Sequence, residues 1–256
     1  MTRLAGKSIL ITGGSSGLGA AAAMMMARDG ARITIAARRQ AESEAVVEKI
    51  KASGGEAMFV QTDITKSAEV ERMVNTVVSR YGRLDCAVNN AGVAMPFVAT
   101  ADIEEEDWNN TIGVNLTGVW LCMKYEIRAM LTTGGGSIVN ISSIYGQKPS
   151  DVGHSAYCAS KHGVIGLSGT AAIDYARDGI RVNTVCPGYC HSEMVDPAFD
   201  ELPELGQKIL ERHSAVQRLG AAEEAAEAMA WLCSDGASFV NGTTITVDGG
   251  TTTRLY

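Results

Sequence analysis

Short apolar runs rich in β-branched residues alternate along the chain with longer alanine-rich or amphipathic stretches. The runs at 8–12, 32–36, 57–60, 84–88, 137–141, 180–185 and 244–247 predict seven strands, most of them apolar on both faces as in a sheet covered on both sides. Between them, 17–29, 42–52, 68–81, 107–131, 156–177 and 222–232 predict helices, several followed by a glycine suited to a left-handed closing position. Regular βα alternation calls for a parallel sheet with right-handed crossovers. The expected fold is α/β, a doubly wound seven-stranded sheet with helices on both faces, in one domain spanning 1–256. The alternation breaks only after the sixth strand, where Pro187, Pro197 and Pro203 cluster. There Phe199, Leu202, Leu205 and Ile209 recur at helical spacing among acidic residues, which predicts short amphipathic helices within about 189–217. An excursion from the carboxyl end of a strand is expected to serve as a substrate lid, with Met194, Phe199 and Leu202 in an apolar roof.

Composition narrows the partners. The 256 residues carry 22 Lys and Arg against 29 Asp and Glu, a formal charge of −7, and 46% are hydrophobic. That is a folded composition with no basic patch for nucleic acid or an anionic membrane surface. The longest apolar run, 20–27, falls far short of the roughly 20 residues that cross a bilayer. Arg3 and Lys7 precede only a brief apolar run broken by glycine, so no secretory leader is expected and the cytoplasm is the expected home. Six cysteines without a CxxC pair read as reduced, buried thiols. Cys186, Cys190 and His191 match no zinc spacing, and no metal is expected.

Two places carry candidate chemistry. The first strand runs into Gly13, Gly14, Ser15, Ser16, Gly17, Leu18 and Gly19, then into an alanine-rich helix. A glycine-rich turn at a helix N-terminus offers backbone N–H groups to a pyrophosphate, although G-x3-G-x-G departs from the usual G-x-G-x-x-G spacing. The same residues fit G-x-S-x-G, which makes Ser15 a candidate hydrolase nucleophile. This alternative ranks lower because no earlier strand-to-helix loop exists to complete an oxyanion hole. At the end of the second strand, where a carboxylate would bind the ribose of NAD, Arg38 and Arg39 stand instead. Two guanidiniums suit the 2′-phosphate of NADP, so NADP is the expected cofactor with NAD possible.

Further along, Tyr157 and Lys161 lie at i and i+4 on one helical face. A nearby ammonium stabilises phenolate, so Lys161 is expected to lower the Tyr157 pKa toward a useful range for acid–base work. His154, three residues earlier, is a candidate substrate contact or a structural donor.

The glycine turn, Asn89-Asn90-Ala91-Gly92, Asn115, Ser142-Ser143, Tyr157/Lys161, Pro187-Gly188 and Asp248-Gly249-Gly250, in that order, resemble the short-chain dehydrogenase/reductase family from end to end, especially its 3-oxoacyl reductase and glucose 1-dehydrogenase-like members. The resemblance implies hydride transfer between a nicotinamide coenzyme and a ketone or secondary alcohol. It makes Tyr157 the acid/base, Lys161 its partner and a ribose ligand, Ser143 (or Ser142) the carbonyl-oxygen donor, and Asn115 a helix-kinking residue that holds a relay water. Gly13, Ser15, Ser16, Gly17, Leu18, Gly19, Arg38, Arg39, Asp63, Ile64, Asn89, Ala91, Gly92, Tyr157, Lys161, Pro187, Gly188, Cys190 and Ser192 are the implied cofactor contacts. Ser192 replaces the family's threonine after Pro-Gly. Thr132 to Gly136 lack the basic side chains with which some relatives dock a carrier protein, so a free small-molecule carbonyl or alcohol is the expected partner. The family also suggests a homotetramer. A dinucleotide sensor without turnover is a further alternative, disfavoured by the intact Tyr157/Lys161 pair.

Overall fold

A computed structural model describes residues 2–94, 97–150, 153–193, 195–196, 199, 204, 206–207, 210–211 and 215–253. Seven strands, β1 (Ser8–Thr12), β2 (Arg32–Ala37), β3 (Glu56–Gln61), β4 (Cys86–Asn89), β5 (Gly136–Ile141), β6 (Ile180–Pro187) and β7 (Thr244–Val247), form one parallel sheet in the order β3-β2-β1-β4-β5-β6-β7. Each expected strand is present. β4 begins two residues later than the apolar run suggests because the Asp85 carboxylate takes the Ser8 N–H at 2.9 Å, displacing the regular ladder there.

Helices α1 (Gly17–Arg28), α2 (Gln40–Ala52) and α7 (Ala222–Cys233) cover one face; α3 (Ser67–Tyr81), α5 (Val119–Leu131) and α6 (Ser155–Asp174) cover the other. Alanine explains the close pairing of α1 with α7: Ala20 to Ala23 meet Ala225, Ala226, Met229 and Ala230, all buried, in one cluster. Small side chains let two helices share a narrow seam. Arg3 ties this seam at its end, pairing with Asp29 after α1 and with Glu227 on α7. At the other end of α3, Gly82 closes the helix with φ 81°, donating its N–H to Val78 O at 2.8 Å.

The long helix expected over 107–131 is divided. α4 (Glu105–Ile112) passes through a wide π-helical turn, Gly113–Gly118, into α5. Gly118 allows that turn to press against Ile64, whose Cδ1 would lie 2.8 Å from any added Cβ. Of the expected lid, Leu202, Leu205, Ile209 and Met194 lie outside the described residues. The described part returns toward the sheet through a bridge between Cys190 and Gly220.

A polar chain crosses the second core. Asn89 Nδ2 donates to Glu126 Oε2 and to Asn140 Oδ1, both at 2.9 Å, and Asn140 Nδ2 donates to Ser168 Oγ at 2.8 Å. Glu126 is wholly buried, and burial pushes its carboxyl up to about 8 against the pull of the Asn89 bond. Unfolded, a glutamate titrates near 4.5. Between about 4.5 and 8 the folded chain therefore keeps a proton that the unfolded chain has released, and stability falls as pH rises through that window. Glu126→Gln, which keeps an acceptor without a charge, is expected to flatten this fall when Tm is followed by circular dichroism from pH 5 to 9; parallel curves for variant and parent would refute it.

Candidate active site

Connections from β1 and β4 leave the sheet in opposite directions, so a crevice opens at their carboxyl ends. The turn from β1 to α1 lies there. Gly13 has φ 66°, and a Cβ on it would stand 2.8 Å from Ala91 Cα; one on Gly19 would stand 2.3 Å from the Gly13 carbonyl oxygen. Asn90 fastens the two strand ends. Its Nδ2 donates to the carbonyls of Thr12 and Gly13 at 3.2 and 3.1 Å, while Thr12 Oγ1 accepts from the Asn90 and Ala91 N–H groups at 3.1 Å. Ser16 holds the N-cap position of α1 without a side-chain cap, which leaves first-turn amides for an anion at the positive end of the helix. Leu18 is half-buried against the core.

Arg39 reaches over this turn. Its Nη2 donates to Ser15 Oγ at 3.1 Å and Ser16 Oγ at 2.7 Å. A guanidinium is thus the hydrogen-bond partner of Ser15 among the described residues, and the base that a serine nucleophile needs is missing. Arg38 is exposed and borders an open depression of about 500 Å³ with Val60, Gln61, Thr62, Asp63, Glu69 and Arg72. Burial acts to raise the Asp63 carboxyl, but two hydrogen bonds from Thr65 and the charges of Arg38 and Lys66 outweigh it and hold it below the ordinary value.

The other half of the crevice is built by β5 and α6. Ser142 Oγ donates to the Lys161 carbonyl at 2.8 Å, a scaffold bond. Ser143 accepts from Tyr145 N–H at 3.2 Å and is near enough to the Tyr157 phenol to favour its ionised form. Lys161 is buried with Nζ 5.6 Å from the Tyr157 ring centroid, and it donates to Ile141 O at 2.9 Å. Asn115, wholly buried in the π-helical turn, donates to Val93 O and accepts from Val93 N at 2.9 and 2.8 Å. Those two bonds imitate a strand pairing and account for the break between α4 and α5. A Cβ on Gly92 would stand 3.3 Å from Asn115 Oδ1 and 3.6 Å from Lys161 Nζ, so these three positions converge.

The electrostatic balance differs from the sequence expectation. Burial pushes the Tyr157 phenol up to about 12, with the Ser143 bond pulling the other way, and burial lowers Lys161 to about 8. In the chain by itself desolvation dominates the Tyr157 phenol, while the Lys161 ammonium donates to the Ile141 carbonyl.

Three expected cofactor contacts turn their side chains inward. Asn89 and Ile64 are buried, and Cys190 lies in the core with its thiol pushed up to about 11 by burial. Pro187 ends β6, Gly188 sits against Asp248, and Ser192 lies beside Gly17, donating to the Cys190 carbonyl at 3.3 Å. An aromatic wall that the motifs did not assign stands beside Tyr157. Phe97 stacks on His154 at 4.3 Å, the His154 and Tyr157 rings are 5.6 Å apart, and the Tyr145 and Tyr189 hydroxyls meet at 2.6 Å. Phe199 approaches Tyr189 at 6.2 Å. The signal available in the sequence was position alone: Tyr145 and Tyr189 directly follow Ser143-Ile144 and Pro187-Gly188.

Fold and site together define an oxidoreductase that uses a nicotinamide dinucleotide. Residues 13–252 match the family model described as enoyl-(acyl carrier protein) reductase. The A-factor type gamma-butyrolactone 1′-reductase of Streptomyces virginiae is 41% identical over 244 residues, covering 95% of this chain and 94% of that protein. The 2,5-dichloro-2,5-cyclohexadiene-1,4-diol dehydrogenase of Sphingobium indicum is 38% identical over 253 residues, covering 98% and 99%. Among solved structures, a variant of actinorhodin polyketide ketoreductase with NADPH superposes with TM-score 0.92 at 33% identity, covering 97% and 98%. The chain belongs to the short-chain dehydrogenase/reductase family. It is an NAD(P)-dependent oxidoreductase interconverting ketones and secondary alcohols with Tyr157 as acid/base.

Gly19→Ala is expected to force the turn open against the Gly13 carbonyl, weakening NADPH binding at least about tenfold, or ~1.4 kcal/mol, and lowering Tm. Fluorescence titration measures the first; unchanged affinity would show that the turn tolerates a methyl group.

Proposed function

We propose that this enzyme reduces a small ring-bearing ketone, or oxidises the matching secondary alcohol, with NADP preferred over NAD. The observation that carries the reading is buried Lys161 with its Nζ 5.6 Å from the Tyr157 ring, and Ser143 near enough to the phenol to pull against its desolvation. Two hydroxyl donors beside a buried ammonium suit an oxygen as the reacting group, a carbonyl rather than a carbon–carbon double bond. The aromatic wall of Phe97, Tyr145, His154 and Tyr189 suits a ring, and both relatives above carry a cyclic compound in their names.

The crevice fits the coenzyme. The turn from Gly13 to Gly19 would cradle the pyrophosphate, Arg39 with Arg38 the 2′-phosphate, and the depression beside Asp63 the adenine. Ala91, Gly92 and the backbone around Asn89 would line the nicotinamide side with Pro187, Gly188, Cys190 and Ser192. When bound, the coenzyme supplies or accepts a hydride. Tyr157 Oη gives its proton to the substrate oxygen in reduction and takes it back in oxidation, while Ser143 Oγ stabilises the charge on that oxygen. Lys161, freed from Ile141 O to meet the ribose, would then bring its charge to bear on the phenol. Asn115 holds the Val93 backbone, and a water between its turn and Lys161 would complete a proton path. The segment at about 189–217 acts as the lid.

Exposed apolar side chains support a homotetramer. Trp108 on α4, Trp120 on α5, Ile173 on α6 and Phe239 shortly before β7 are all exposed. Two distinct self-complementary contacts through such side chains would generate a closed tetramer. The free thiols fit a reducing cytoplasm, and among the described residues no helix is long and apolar enough to cross a membrane.

In a panel of cyclic ketones followed by NADPH absorbance, Tyr157→Phe is expected to lower kcat by about 10²–10⁴-fold with NADPH affinity kept, and Ser143→Ala by about 10²–10³-fold. Ser142→Ala should mainly lower Tm. Full activity in Tyr157→Phe would overturn the mechanism. By light scattering, the double variant Trp108→Glu/Trp120→Glu is expected to run as a dimer; a monomeric parent would refute the tetramer.

A further inference from the structure

Arg39 serves more than the glycine turn. The same Nη2 that donates to Ser15 and Ser16 also pairs with Glu193 Oε2 at 2.8 Å, and Glu42 Oε1 stands 3.8 Å from Nη1. Glu193 follows Ser192, whose Cβ would lie 3.2 Å from a Cβ on Gly17. The chain leaving β6 thus carries a carboxylate across the crevice mouth onto the guanidinium that guards the other side. Arg38 faces Asp63 instead.

The two coenzymes meet this arrangement differently. A 2′-phosphate carries nearly two negative charges at neutral pH and needs the donors that Glu193 occupies, so it must displace the carboxylate or bind beside it against repulsion. A ribose 2′-hydroxyl carries no charge and can donate to a carboxylate, as it does where an acidic residue ends the second strand. We propose that Glu193 is a coenzyme-selectivity residue: its carboxylate competes with the 2′-phosphate for Arg39 and so narrows the preference for NADP that the arginine pair confers.

This rests on the assignment of Arg39 to the 2′-phosphate made above. The ion pair is formed at 2.8 Å, and the Arg39 and Ser16 hydrogen bonds hold the Glu193 carboxyl below its usual range. Both partners are half exposed, with side-chain exposures of 44% and 60%, so water and salt weaken the competition. The effect is therefore a modest ratio, about two- to fivefold, which equals ~0.4–1 kcal/mol.

Calorimetric titration of the full chain with 2′,5′-ADP and with 5′-ADP tests this without turnover, and NADPH and NADH binding followed by protein fluorescence repeats it on the whole coenzymes. Glu193→Gln is expected to tighten 2′,5′-ADP and NADPH by about two- to fivefold while leaving 5′-ADP and NADH unchanged or slightly weaker. In an Arg39→Gln background the same substitution should have no effect on the ratio. An equal shift for both ligands, or no shift, overturns the inference. The two levels separate cleanly. If Arg39→Gln leaves the 2′,5′-ADP to 5′-ADP ratio at the parent value, the 2′-phosphate assignment itself fails; if Arg39→Gln lowers the ratio but Glu193→Gln does not raise it, only the competition is wrong.

Discussion

The hydrogen-bonded clasp between Thr12 and Asn90 is the constraint on which the site depends. Where successive crossovers leave a parallel sheet in opposite directions, the neighbouring strand ends have no helix to bridge them and the backbone groups there need partners of their own. Thr12 Oγ1 satisfies two N–H groups and the Asn90 amide satisfies two carbonyls. The gap keeps a fixed width as a result. Everything that meets across it, the glycine turn on one side and Gly92 with Lys161 and Asn115 on the other, inherits its spacing from these four bonds.

Charge in the crevice is arranged by burial more than by pairing. Among the described residues no carboxylate pairs with Lys161; a backbone carbonyl is its acceptor. Tyr157 has a hydroxyl neighbour and a phenol that resists ionisation. Both groups are thus held closer to neutrality than their free counterparts, so the phenol gives up its proton less readily until a positive charge is brought to bear on it. A site of this kind is responsive to what enters it, because each added charge or excluded water changes a balance that no fixed ion pair pins down.

Much of this was legible in the residues. Strand periods located all seven strands, since a sheet covered on both faces leaves continuous apolar runs. Tyr157 and Lys161, spaced one helical turn apart in the sequence, lie with ammonium and ring 5.6 Å apart. What escaped was what depends on side-chain direction. Asn89 and Cys190 belong to motifs that line the crevice, yet alternation along a strand turns the first into the core, and the return to Gly220 buries the second. Asn115 marked a kink in an otherwise helical pattern, but its two bonds to Val93 join segments 22 residues apart, and no local pattern records them. The desolvation that reverses the expected Tyr157 shift is likewise a property of the packed molecule.

The alanine seam between α1 and α7 bears on how the chain acquires its shape during synthesis. The face of α1 that flanks the nucleotide crevice is covered by a helix beginning at Ala222, about two hundred residues later. A growing polypeptide can assemble its first strands early, but that surface stays uncovered until the ribosome has delivered the chain through Cys233. Contacts of such long sequence separation slow folding and leave apolar surface exposed meanwhile. Holding this surface to methyl groups rather than leucines keeps the nascent chain less adhesive during the wait.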